Sequence, residues 1–318
     1  MPPQEEYSTG SRSFWSWLAT SKVYQSVSAS LLGTKKRRLV LLAAVPIIWA
    51  IVANLGPLFK MLDISFYDAY PLSKGREATY TIAAWREFFV TPVYYIPFFR
   101  TLIFSGILTF ATLVLVYPVA YFLARHVPKS RQMLFLLLVL IPFWVGEIIR
   151  TYAIMILLGN NGAINIALKF LGIIDRPIPF MYTSFSLGIG IVYLVSLYML
   201  LPLYSALEKI PTNMNEAAAD LGAGPWRRFW RITLPLSKDG IASGCVLVFL
   251  IATGFYATPV ILGGPSSTMF AESIANTFNV AADRWPTGAA FSSIMLITTL
   301  TLAAVFLKIM GRRGKGYL

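Results

Sequence analysis

Two places in this sequence hold residues whose types and spacing suit chemistry. The first is Glu147 with Arg150, inside an apolar run from Met133 to Leu158. Ionisable groups in such a run are costly to bury and are functional candidates by default. A spacing of three residues puts both on one helix face, so one reading is a self-neutralising pair that stabilises packing. The other turns the Glu147 carboxylate toward a pathway where a cationic solute meets it, with Trp144, Tyr152 or Tyr193 offering ring faces. At about 1.5 Å of rise per residue, a continuous helix from Met133 carries Glu147 about 20 Å along its length. Phe255 and Tyr256, in a later apolar run, either line the same path or serve ordinary helix packing.

The second place is the stretch Asn213–Leu236, which is polar and rich in small residues although it lies between two long apolar runs. Asn213 can cap a helix, with Glu216 returning the bond three residues later. Ala217, Ala218 and Ala219 favour helix and leave a face with almost no bulk. Gly222 and Gly224 interrupt that helix, and Pro225 suits the first turn of another. The second helix carries Arg227, Arg228 and Arg231 among Trp226, Phe229, Trp230 and Ile232, and Leu234-Pro235 is expected to end it. Arginines and tryptophans alone fit a helix lying on lipid headgroups. Glu216 to Gly222 offer lipid nothing, and so ask for a protein surface instead.

Several chemistries lack their residues. The sequence contains no Gly-x-x-x-x-Gly-Lys-Ser/Thr phosphate loop. One cysteine, Cys245, and one histidine, His126, give neither a disulfide framework nor a Cys/His metal cluster. Gly188-x-Gly190 lies in an apolar run with no strand before it, and reads as close helix packing. A membrane-embedded enzyme would need more polar groups than Glu147 and Arg150. A secondary transporter would be expected to show repeated halves and helices broken at the midplane, and neither is apparent.

The elements that position these residues are membrane helices. The chain has 318 residues, of which 57% are hydrophobic and 13% charged, well below the charge content of a soluble domain. Six runs reach the roughly 20 residues needed to cross a bilayer: Leu39–Phe59, Thr101–Leu123, Met133–Leu158, Ser184–Leu203, Ile241–Leu262 and Gly288–Leu307. Each must be helical in lipid. Pro46, Pro118, Pro142 and Pro259 imply kinks within them. Of the 27 Lys and Arg, eighteen fall on the side holding both termini and eight on the other. By the positive-inside rule the termini and the Asn213–Leu236 stretch face the cytoplasm. The net charge of +13 is thereby accounted for without nucleic acid. On the far side, Trp85 to Phe89 suggest a short amphipathic helix, acting either as a cap over the helix ends or as a contact for another protein. Residues 1–38 form a polar tail whose Phe14, Trp15, Trp17, Leu18, Val23 and Tyr24 suit an interfacial helix or a disordered arm equally.

The run Glu216-Ala217-Ala218-Ala219-Asp220-Leu221-Gly222, followed by Ile232-x-Leu234-Pro235, resembles the EAA loop of permease subunits of bacterial ABC importers. Leu262-Gly263-Gly264, Trp285-Pro286-Thr287-Gly288-Ala289, Pro142-Phe143-Trp144 and Arg150-Thr151-Tyr152 make it most similar to the spermidine/putrescine branch, which also includes permeases for other small solutes. The likeness spans Leu39 to Arg313. It implies an all-α polytopic protein of the type I importer (MetI-like) permease fold, with a six-helix domain over 39–310, the coupling loop at 207–239 and a short tail at 311–318. It implies a multi-pass protein of the bacterial inner membrane that is not itself an enzyme. Glu216 to Gly222, Arg227 and Pro235 would dock the ATPase. The chain itself would hold no cofactor, ATP and Mg being bound by two partner ATPase subunits. A second permease, identical or a sister, and a solute-binding protein would complete the assembly.

Overall fold

A backbone in hydrocarbon has no water to satisfy its N–H and C=O groups, which leaves the helix as the element of choice for an open chain. The computed structural model follows that rule. It describes residues 35–71, 79–280 and 284–312; the reading of the N-terminal tail and that of the 313–318 segment lie outside them. Two units are distinct, one ending at Met61 and the other beginning at Leu62. Helix α1, Lys35–Ile64, supplies the described part of the first and contains Pro46 and Pro57 without interruption. The second unit continues with α2 (Ala83–Val90), α3 (Pro92–Arg125), α4 (Lys129–Leu140), α5 (Glu147–Leu158), α6 (Ala163–Phe170) and α7 (Ser184–Glu208). Then come α8 (Thr212–Asp220), α9 (Pro225–Leu236), α10 (Lys238–Gly254), α11 (Ala257–Leu262), α12 (Phe270–Val280) and α13 (Trp285–Arg312).

Helix α7 is the central post. Leu187, Ile191, Val195, Met199, Leu203 and Leu207 recur every four residues and are all fully buried, the stripe a helix presents to one face. Helices α3 and α10 pack on it and complete the main core with Leu108, Val116, Tyr117, Leu123, Ile241 and Val248. The α7–α10 contact is close: a Cβ at Gly240 would stand 2.5 Å from the Ala206 Cβ and 2.6 Å from the Pro202 carbonyl oxygen. Gly188 and Gly190 do face neighbours, Leu108 and Phe104 for the first, Leu262 and Thr258 for the second.

At the other end of the bundle the short helix expected around Trp85 forms as α2, with Ala84 and Phe88 buried and Phe89 exposed. Phe88 meets Phe98, Phe270 and Phe291 edge to face at centroid distances of 5.1, 5.9 and 5.7 Å, the geometry aromatic quadrupoles favour. The Phe270 N–H also donates to Thr101 Oγ1 at 2.8 Å. This cluster ties α2 and α12 over α3 and α13.

Two of the expected continuous spans are broken. Met133–Leu158 is not one helix: α4 gives way to a 3-10 turn at Ile141–Trp144, Val145 and Gly146 are extended, and α5 begins at Glu147. The membrane-length stretch there is Glu147–Phe170, so Glu147 opens a helix instead of sitting midway along one. Ile241–Leu262 divides likewise, because α10 stops at Gly254, Phe255 is extended and α11 starts at Ala257. Pro259 thus occupies a first helical turn, where its missing N–H costs nothing. As expected, α9 ends beside Leu234-Pro235, at Leu236, and meets α10 at 64° across Ser237.

Candidate functional site

The outcrop between α7 and α10 is built from local chain chemistry. Helix α8 begins at Thr212 behind Pro211, whose φ of −63° and ψ of 138° turn the chain in. No side chain caps it, so Asn213 lies inside the first turn and the expected Asn213–Glu216 capping pair is absent. Its other end is a Schellman closure. The Ala223 N–H reaches the Ala218 carbonyl at 2.9 Å and the Gly222 N–H reaches Ala219 at 2.8 Å. Gly222 takes φ of +79° to allow it, a conformation that costs any residue with a Cβ. Gly224 then stands extended and Pro225 opens α9. Arg228 Nη1 donates to the Asn215 carbonyl at 3.4 Å and joins the two helices.

Within α9, residues Phe229–Thr233 form a π turn in which the Leu234 N–H reaches back five residues to Phe229. That turn accommodates Pro235 inside the helix, since an extra residue re-registers the carbonyls a proline leaves unpaired. Trp226 and Trp230 stay exposed, while Phe229 packs edge-on against Tyr117 and Tyr121 of α3 at 5.6 and 6.3 Å. The outward surface holds Glu216, Ala217, Ala219, Asp220 and Arg227, with Leu221 88% and Trp226 73% exposed and Ala218 half-buried. Among the described residues Glu216 and Asp220 make no ion pair. Two carboxylates, an arginine and exposed apolar side chains thus share one face of the outcrop.

The second candidate site forms where two broken helices meet. Glu147 is the first residue of α5, where the helix dipole favours a carboxylate. Thr258, from the first turn of α11, donates to Glu147 Oε1 at 3.4 Å and lies 3.3 Å from Thr151 Oγ1. Thr151 in turn donates to the Glu147 carbonyl at 2.9 Å. Both threonines are fully buried whereas Glu147 is exposed. The charge pair expected with Arg150 is not formed among the described residues: the Arg150 guanidinium lies over the Phe143 ring, 4.5 Å from its centroid. Its Nε and Nη1 are buried without a hydrogen-bond partner. Helix spacing favoured a pair, but Glu147 is turned to α11 and Arg150 to the preceding 3-10 turn. Trp144 is 91% exposed, and Tyr152, Tyr193 and Tyr256 are partly so. Phe255 instead enters the main core. Thr258, Thr151 and Phe143 were missed as site residues. The signal for Thr151 was a hydroxyl four residues beyond a lone carboxylate in an apolar run; nothing local marked the others.

The family model described as "Binding-protein-dependent transport system inner membrane component" matches residues 36–315. The spermidine/putrescine transport system permease protein PotB of Haemophilus influenzae is 36% identical over 265 residues, covering 81% of this chain and 89% of that protein. The inner membrane ABC transporter permease protein YdcU of Escherichia coli K12 is 30% identical over 288 residues, covering 87% and 90%. A solved bacterial alginate ABC transporter, in complex with a periplasmic protein holding an alginate pentasaccharide, superposes with a TM-score of 0.67 at 19% identity, over 88% of this chain and 96% of that one. At that identity the superposition bears on the fold alone.

Proposed function

This chain belongs to the binding-protein-dependent transport system inner membrane component family, the permease subunits of bacterial ABC importers, and we propose that it forms half of a polyamine pathway and couples it to ATP through the α8–α9 outcrop. As a permease subunit it is a multi-pass inner-membrane protein and not itself an enzyme. In this reading both termini and the outcrop face the cytoplasm, as the Lys/Arg distribution favours. Two ATPase subunits, binding ATP and Mg, each receive one outcrop, from this chain and from a sister permease. Glu216 and Asp220 orient α8 in the groove, Ala217 to Ala219 permit close approach, and Leu221 and Trp226 fill it. Closure of the ATPase pair on ATP carries the outcrops inward and rocks the bundle open to the outside, where a solute-binding protein delivers its cargo.

The observation that carries the coupling reading is the Gly222 turn, which sets the exposed α8 against α9, where Arg228 joins the two helices. Cysteine at Ala218 should crosslink to the ATPase subunit; crosslinks that never form there remove the reading. The polyamine reading rests on the permease relatives named for spermidine and putrescine and on Glu147, a carboxylate held at the junction of α5 and α11. One carboxylate against several ammonium groups leaves most of the selection to the solute-binding protein. Competition of unlabelled spermidine, putrescine and neutral solutes against labelled spermidine uptake tests it, and equal competition by a neutral solute refutes it.

A further inference from the structure

One buried contact links the root of the outcrop to a helix outside it. Ser237 is the single residue between α9 and α10, with φ of −86° and ψ of 1°, at the 64° bend. Its Oγ and the Tyr117 hydroxyl of α3 are 3.0 Å apart, with both residues buried. Among the described residues this is the only side-chain hydrogen bond from α3 to that hinge. The other bonds of Ser237 are local: its Oγ donates to the Leu234 carbonyl at 3.1 Å and its N–H to Thr233 at 3.0 Å. Local bonds shape the bend but do not resist its movement past α3. Beside it lies the π turn of α9, a register where helices rearrange, and Phe229 of that turn rests edge-on against the Tyr117 ring. On the other side α10 is wedged on α7 at Gly240. A push on the outcrop therefore has a tight mechanical path to α7, on which α3 also packs, and the hinge itself is held directly to α3 through Tyr117.

We propose that the Tyr117–Ser237 hydrogen bond latches the outcrop to α3, so that the root of the outcrop keeps its seat on α3 when ATP binding loads it. Tyr117 is then a positioning residue for coupling, and the proposal rests on the reading of the outcrop as the ATPase dock. Tyr117→Phe removes the hydroxyl and keeps the ring against Phe229. A buried neutral hydrogen bond of about 1 kcal/mol sets about a fivefold rise in the unlatched population.

The test uses the assembled transporter in nanodiscs, with spin labels at His126→Cys, the residue that caps the end of α3, and Arg231→Cys on α9, both exposed; the native thiol, Cys245, is buried. In the parent the label distance should stay the same with and without ATP. In Tyr117→Phe a second, longer distance should emerge with ATP while the ATPase subunit remains bound at the parent's level. Ser237→Ala should reproduce that distance, and the double variant should add nothing to either single one. A purely packing role would lower the yield of complex without creating an ATP-dependent distance. Variants that retain the ATPase and show only the parent's distance overturn the latch. A parent chain that never retains the ATPase overturns the docking reading instead.

Discussion

Replacing Gly222 isolates backbone conformation from every other property of the outcrop. Its φ is +79° and a Cβ built there meets nothing within 4 Å, so a side chain would clash with no neighbour. The cost is that of holding an L-residue in the left-handed region, about 1–2 kcal/mol. That corresponds to roughly a 5- to 30-fold loss in the ratio of bent to unbent outcrop. Asn tolerates this region best among residues with a Cβ, and a β-branched residue worst. Docking should therefore weaken in the order Gly222, Gly222→Asn, Gly222→Ala, Gly222→Val, with transport all but lost in the last. The assay is titration of purified ATPase subunit onto the permease pair, followed by uptake in proteoliposomes. The protein should stay in the membrane throughout, because no buried contact is touched. Parental docking and uptake by Gly222→Val would refute the role of the bend. An equal loss in Asn and Val would refute the conformational account of it.

Other outcomes follow from the packing and from the Glu147 junction. Glu147→Gln keeps an acceptor for Thr258 and removes the charge; spermidine uptake should fall about tenfold, the worth of about 1.4 kcal/mol, with ATPase retention unchanged, and undiminished uptake would take Glu147 off the pathway. Gly240→Ala forces a Cβ onto the Pro202 carbonyl and Ala206 and should cost about 1–3 kcal/mol, read as a lowered Tm in detergent. Gly146→Ala, with open space around its Cβ, is the control that should leave Tm alone. Phe88→Ala opens the aromatic cluster and should cost about 3–5 kcal/mol, whereas the exposed neighbour in Phe89→Ala should be nearly silent in the same melt.

The outcrop is largely legible in the sequence, because its shape is set by residues adjacent in the chain. Gly222 is the residue a left-handed closure needs, and Pro225 restricts its own backbone. The Asn213 cap failed for the same kind of reason: Pro211, two residues earlier, starts the helix first and draws Asn213 into the first turn. Apolar length likewise identified the chain as helical and membrane-spanning, since any run that must cross hydrocarbon is helical, although the third span lies at Glu147–Phe170 and not at Met133–Leu158. It did not show that two of the expected spans break, because a sequence of uniform hydrophobicity carries no mark for where a helix pauses. Pro142 and Pro259 pointed to the neighbourhoods, and the extended residues fell beyond the first and ahead of the second.

What the sequence determined by itself was thus local or additive: the class of protein, the approximate spans, the Gly222 bend and the polar outcrop between two apolar runs. Only the tertiary structure decided which side chains meet. Glu147 finds Thr258 across 111 residues and leaves Arg150 to the Phe143 ring, and Ser237 finds Tyr117 across 120. Backbone preference depends on nearest neighbours and can be read along the chain. A pairing between distant helices depends on how whole faces pack, and each face admits many partners of similar chemistry until packing selects one.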